Sequence, residues 1–267
     1  MAGTGWGSWL LRAYALLLFV FLLMPLLVVV LVSFAADPYI RFPPSGISLR
    51  WFRAVFDEPS FVLGIANSLK LALAATVLSN LLAVPAALVL VRHRFWGRDA
   101  VESWLLSPLS LPLIVLGVAL LFYLGRFGLG LTAGGLLAAH VVITVPYILR
   151  TVTAVYRSAD RTIEEAAMVL GASPWQTFRR ITLALMRPGI AAGSIFSFLI
   201  SFDNLPVSIF LTGPQTTTLP VSIFSYLIYH FDPSIAAIST MEIAAVVLAL
   251  LVVERVYGLR NLTAFSQ

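Results

Sequence analysis

Apolar positions in this chain come in long blocks separated by short polar segments. Ala13–Ala36, Leu71–Val91, Ser103–Gly125 and Phe127–Leu149 contain no charged residue. Each exceeds the roughly 20 apolar residues that a helix needs to cross a hydrocarbon core about 30 Å thick. Two further blocks, residues 189–211 and 233–253, each carry one acid, Asp203 and Glu242. The pattern predicts an all-α integral membrane protein with six transmembrane helices. They are expected over residues 13–36, 61–91, 103–125, 127–149, 189–211 and 233–253, in a single domain covering 1–267. Thr212–Asp232 is apolar but broken by Gly213-Pro214 and Leu219-Pro220, and is expected as a loop and short helix at the membrane face. Ser33-Phe34-Ala35 resembles a leader-cleavage site. The first block is too long for a leader, whose apolar core is about 7–15 residues.

Composition sharpens this picture. The chain is 60% hydrophobic and 11% charged, against about 45–50% and about 25% in soluble domains. A single water-soluble globule and a disordered chain are both excluded. Cysteine is absent, which removes disulfides, thiol nucleophiles and Cys-type zinc sites. The net charge is +5, and its distribution gives an orientation. With the N-terminus inside, twelve arginines between Arg12 and Arg260 fall in internal segments. Four (Arg41, Arg50, Arg53 and Arg126) fall outside. Short cytoplasmic loops carry the excess of basic residues, so both termini are expected in the cytoplasm. The arginines do not gather with stacking aromatics on one face, so no nucleic-acid partner is expected.

Several chemistries lack their residues. A phosphate-binding loop needs Gly-Lys-Ser/Thr, and the only lysine, Lys70, follows Leu69. His93, His140 and His230 are far apart and form no HExxH pair, and there is no GxSxG elbow. His140 reads as a hydrogen-bonded packing residue rather than a proton relay. Gly189 and Gly193 make a small-xxx-small pattern, which favours close helix packing. Trp51, Phe52 and Phe56 are expected as aromatic anchors at the outer interface.

The segment Arg150–Pro188 is too polar to cross a membrane and too patterned for a linker. Thr162-Ile163-Glu164-Glu165 has the spacing of a capping box, in which Glu165 reaches back. Gly171 is placed to end that helix. Ser173-Pro174-Trp175-Gln176 begins a second, with a serine cap, proline at the first helical position and glutamine at the third. Trp175, Phe178, Ile181 and Thr182 form its apolar side. Two readings of this bent element remain open. It lies on lipid headgroups with its arginines on anionic lipid, or a partner protein has a groove for it.

Glu165-Ala166-Ala167, Gly171-Ala172, Phe178, Ile181 and Pro188 together resemble the EAA loop of binding-protein-dependent ABC importer permeases. Ser201-Phe202-Asp203-Asn204, Thr212-Gly213-Pro214, Thr218-Leu219-Pro220, Asp232-Pro233-Ser234 and Arg92-His93-Arg94-Phe95 resemble the spermidine/putrescine subgroup. The chain departs from those patterns at Ala184, where the family often has proline, at Asn204, where the subgroup often has a second acid, and at Lys70.

The resemblance implies a MetI-like permease in a bacterial inner membrane, with a cytoplasmic bent coupling helix between the fourth and fifth spans (loop 150–188). It implies a second, non-identical permease, two ABC ATPase subunits and a periplasmic solute-binding protein, beside membrane lipid. It implies no enzyme activity and no cofactor of the chain's own, because ATP binds the partner subunits. The contacts to the ATPase would come from Glu164, Glu165, Ala166, Ala167, Gly171, Ala172, Ser173, Trp175, Phe178 and Arg179. The solute would be a polyamine. The alternatives are a phosphonate, an opine or an amino-acid derivative in the same importer class, or a membrane enzyme or stand-alone channel.

Charges inside a membrane cost several kcal/mol unless paired or hydrated, so they mark passages or partners. Asp203 falls about 21 Å along the fifth span, in its outer half, and Glu242 about 14 Å from the outer end of the sixth. Asp203, Asn204, Glu242 and Lys70 are therefore candidate lining residues for the solute's path. The competing assignment is an ion pair between Lys70 and one of the two acids.

Overall fold

The computed structural model describes residues 6–257, and Arg260 of the orientation argument lies outside them. Among the described residues the secondary structure is helical apart from one isolated bridge between Ala35 and Ile47. Four helices among the described residues are long and apolar enough to cross a membrane, and a bent pair makes a fifth if counted as one span. The last helix adds a shorter apolar stretch, Ser234–Ala249. The chain divides into two compact units.

Among the described residues the first unit comprises 6–62 and 223–257. Helix α1 (Trp6–Ser33) packs on α12 (Ser234–Tyr257), and α2 (Arg50–Asp57) also lies on α12. Most of α1 turns apolar side chains outward, with Leu11, Leu17 and Phe21 all largely exposed. A helix apolar on every side suits lipid, not water. After α1 the chain folds back through the Ala35–Ile47 bridge. Asp37 accepts hydrogen bonds from the Ser45 N–H at 2.8 Å and the Ser45 hydroxyl at 2.6 Å. These bonds hold its carboxyl below the usual range. Phe52 of α2 meets Phe34 at 5.0 Å between ring centroids, and the Arg50 guanidinium sits 4.5 Å from the Trp51 ring.

The second unit is Leu63–Ser222. It holds most of α3 (Pro59–Arg92), then α4 (Arg98–Leu106), α5 (Leu113–Gly125) and α6 (Ala133–Ser158). Short helices α7 (Thr162–Val169) and α8 (Pro174–Thr177) lead into α9 (Leu183–Phe202) and α10 (Leu205–Leu211), and α11 (Leu219–Tyr229) begins here. Helices α6 and α9 pack extensively on each other, and their glycines explain it. A Cβ on Gly189 would stand 2.9 Å from the Val152 Cα, and one on Gly193 2.8 Å from the Ile148 Cα. Only hydrogen lets the two backbones come so close.

Lipid tails are as apolar as leucine, so packing and hydrogen bonds rather than water exclusion hold such helices together. Ser79 and Thr144 hydroxyls lie 2.7 Å apart. Asn80 donates to Ser194 at 2.9 Å, and Thr151 donates to the Gly189 carbonyl at 3.0 Å. One apolar cluster joins Ala83, Ala87 and Leu90 of α3 to Ile148, Val152 and Tyr156 of α6 and to Met186 of α9.

Three expected spans change shape. The third is not straight: α4 with its 3₁₀ extension meets α5 at 108°. Pro108 and Pro112 flank the bend, and proline removes the N–H that a continuous helix needs. The fourth begins at Ala133 and runs on to Ser158, nine residues past its expected end. The fifth is already helical at Pro174 and continues to Phe202 through a π-helical turn at Phe178–Thr182. It then breaks at Asp203-Asn204 before α10. The internal loop thus loses much of its expected length to the two helices flanking it.

Candidate functional site

The bent internal element is built by local rules. Helix α7 starts at Thr162, one residue earlier than a Thr162 cap would place it. The expected capping box there does not form, because Arg161 occupies the cap position without a side-chain bond. Asp160 takes over, accepting the Thr162 N–H at 2.9 Å, which lowers its carboxyl pKa. The helix ends as glycine dictates. Gly171 has φ +89°, the Gly171 N–H bonds the Met168 carbonyl and the Ala172 N–H bonds the Ala167 carbonyl, both at 3.0 Å. That is a Schellman motif. The second capping box forms as expected: Ser173 Oγ accepts from the Gln176 N–H at 3.3 Å, and Gln176 Oε1 accepts from the Ser173 N–H at 2.9 Å.

The adjacent acids of this element face opposite ways. Glu165 is exposed, whereas Glu164 is buried. The Glu164 carboxylate pairs with Arg92 at 2.6 Å and accepts the Tyr156 hydroxyl at 3.1 Å and the Thr182 hydroxyl. Arg92 also donates to the Tyr156 oxygen at 2.8 Å and the Thr182 oxygen at 3.1 Å. Arg161 donates to the Val91 carbonyl at 2.5 Å. One closed network therefore joins α7 to the ends of α3 and α6 and to the π turn before α9. Burial pushes the Glu164 carboxyl up, but the bonds from Thr182 and Arg92 outweigh it and leave the group below its ordinary value.

The remaining residues assigned to the coupling element are exposed or half-buried. Ala166, Gly171, Ser173 and Arg179 are exposed, and Ala167, Ala172 and Phe178 are half-buried. Trp175 is 66% exposed and stacks on Phe178 at 5.6 Å. Val169 and Leu170, at the end of α7, stand 87% and 88% exposed. Between α7 and α8 lies a cavity of about 280 Å³ lined by residues that include Arg92, His93, Glu164, Glu165 and Thr177.

The candidate path residues of the second unit stand in separate surroundings. Asp203 is exposed in the break after α9, and Asn204 caps α10 by accepting the Val207 N–H at 2.9 Å. Lys70 lines a separate cavity of about 230 Å³ with Asn67, Leu136 and Thr216. Among the described residues no ion pair joins Lys70 to Asp203. Glu242 is half-buried on α12, in the other unit. His140 is fully buried, with Nδ1 2.8 Å from the Ser201 hydroxyl and Nε2 3.0 Å from the Ser208 hydroxyl. This is the packing role its sequence context suggests. Sequence reasoning missed Arg92, Tyr156 and Thr182 as partners of Glu164. The only signal was an arginine at the end of the second apolar block.

Residues 79–261 match the family described as "Binding-protein-dependent transport system inner membrane component". The putrescine transport system permease protein PotI of Escherichia coli (strain K12) is 34% identical over 238 residues, covering 86% of this chain and 84% of its own length. The spermidine/putrescine transport system permease protein PotC of Haemophilus influenzae is 31% identical over 250 residues, covering 94% and 96%. Among solved structures, a bacterial ABC transporter involved in the import of the acidic polysaccharide alginate superposes with TM-score 0.72 at 18% identity, over 96% of this chain and 99% of that one. The chain therefore belongs to the family of inner-membrane components of binding-protein-dependent transport systems, and it has the fold of an ABC importer permease.

Proposed function

We propose that this chain forms, with a second and non-identical permease, the membrane passage of an ATP-driven polyamine importer. A periplasmic protein delivers the solute, and two ATPase subunits seat on the bent element around Gly171 and Trp175. The spans are α1, α3, the α4–α5 pair, α6, α9 with α10, and α12, in one permease domain with both termini in the cytoplasm. ATP is bound and hydrolysed by the partners. Alternating access follows when the ATPases favour different arrangements of the two permeases in their two nucleotide states.

The observation that carries the cationic solute is Asp203 at the helix break. The last carbonyls of a helix lack intrahelical donors and carry about half a negative charge. Asp203 adds a carboxylate to that end of α9 and is exposed there. Broken helices in transporters place such ends on cations. The two relatives named for putrescine and spermidine agree with this chemistry.

Putrescine uptake into vesicles carrying the full importer tests the reading. Asp203→Asn is expected to reduce uptake by about tenfold or more, and Asp203→Glu to retain part of it. Unchanged uptake in Asp203→Asn removes the passage role. A ligand screen on the associated solute-binding protein that returns only anions removes the polyamine.

A further inference from the structure

The two neighbouring acids of the bent element would both be assigned to the ATPase by motif alone. Their surroundings differ. Glu165 is exposed, whereas Glu164 is 5% exposed and its carboxylate is fully engaged within this chain. Its partner Arg92 belongs to the Arg-His-Arg-Phe sequence of the first internal loop, to which the transport reading gives no role. We propose that Arg92 and Glu164 are positioning residues, a latch that fixes the ATPase-facing element to three membrane helices, so that a displacement of the element becomes a displacement of the spans. This rests on the importer reading above.

The argument is mechanical. Helix α7 has only eight residues, too short to hold itself in place in water. Its outer apolar residues Val169 and Leu170 touch little of this chain. What ties it down on the inner side is Glu164, with Arg92 at the end of α3, Tyr156 near the end of α6 and Thr182 in the π turn that opens α9. Arg92 bonds all three other members, so the network is cross-braced. Arg161 adds a strut from the start of α7 to the Val91 carbonyl. Cut the Arg92–Glu164 pair, and the element keeps its docking face but loses the ion pair that braces its grip on the helices. Coupling requires that a movement at one place change the energy at another, and this network links α7 by side chains to all three helix ends.

Two readouts in the assembled importer test the proposal. The first is uptake per ATP hydrolysed in vesicles. Arg92→Gln and Glu164→Gln are expected to lower it by about tenfold, inside the roughly 5–150-fold span of such couplings, while ATP hydrolysis continues. The second is the spin–spin distance between labels at Val169 on α7 and Trp96 beyond α3, both highly exposed. Its narrow distribution is expected to broaden in both variants. The exchange Arg92→Glu with Glu164→Arg is expected to recover part of the coupling and narrow the distribution again, which general misfolding would not do. Tyr156→Phe removes one hydroxyl and serves where the charge variants fail to assemble; it is expected to give an intermediate loss. Unchanged uptake per ATP with an unchanged distance distribution overturns the proposal. If the unaltered protein shows no ATP-driven uptake, the importer reading fails, and the distance measurement still decides whether the latch holds the element.

Discussion

His140 and Ser201 are joined at 2.8 Å between imidazole Nδ1 and hydroxyl, while the other ring nitrogen reaches Ser208 at 3.0 Å. Ser201 lies before the break at Asp203-Asn204 and Ser208 after it. One side chain of α6 thus spans the discontinuity and holds α9 and α10 at a fixed angle. Replacing His140 with Leu leaves two buried hydroxyls unpartnered. Interhelical polar contacts in membranes average about 0.6 kcal/mol, so the variant is expected to lose about 1 kcal/mol, read as a lowered unfolding temperature in detergent. His140→Asn, which keeps hydrogen-bonding capacity, is expected to lose less.

Gly193 stands at a close approach of α6 and α9. A Cβ there would meet the Ile148 Cα at 2.8 Å, and backbone cannot turn aside as a side chain can. Gly193→Val is expected to force the helices apart and cost about 1–3 kcal/mol, measured as loss of unfolding temperature and of the folded fraction after detergent extraction. Gly97 has open space around its missing Cβ. A substitution there is expected to leave α6–α9 packing untouched.

Gly171 is constrained by conformation, not by space. Nothing lies within 4 Å of a Cβ built there, but its φ is +89°. Gly171→Ala is expected to cost about 1–2 kcal/mol through the left-handed backbone alone. The change should appear as faster amide exchange across Ala167–Ser173, with the membrane helices unaffected.

Acid should open the latch. Glu164 is held below its ordinary pKa of 4.5 in the folded protein. Its ionised form therefore stabilises the fold above that ordinary value, and the contribution disappears as pH falls through the lower folded value. The difference in unfolding temperature between the parent and Glu164→Gln is expected to be constant from pH 7 to about pH 5 and to shrink below about pH 4. A difference that instead grows on acidification contradicts the geometry.

What the sequence made legible was local. The Ser173 cap needs only four consecutive residues and formed as read, and Gly171 ended its helix for the same reason. The apolar blocks found the long apolar helices but not their ends, since Arg150 and Arg187 lie within helices that continue past the uncharged stretch. The break at Asp203-Asn204 was hidden because Asn204 and Pro206 sit inside an otherwise apolar run. The Arg92–Glu164 pair joins residues 72 positions apart, and no periodicity links them. The Thr162 box misled because Asp160, two residues earlier, offers its carboxylate to the same backbone start.

The unbroken helix from Pro174 to Phe202 has a last consequence. Its 29 residues span about 43 Å, with Trp175 near one tip and Asp203 just beyond the other. In the importer reading, the same helix therefore reaches from the ATPase-facing aromatic tip to the carboxylate proposed for the solute's path. The five-residue π turn and Pro188 are the places along that shaft where the regular hydrogen-bond ladder is interrupted.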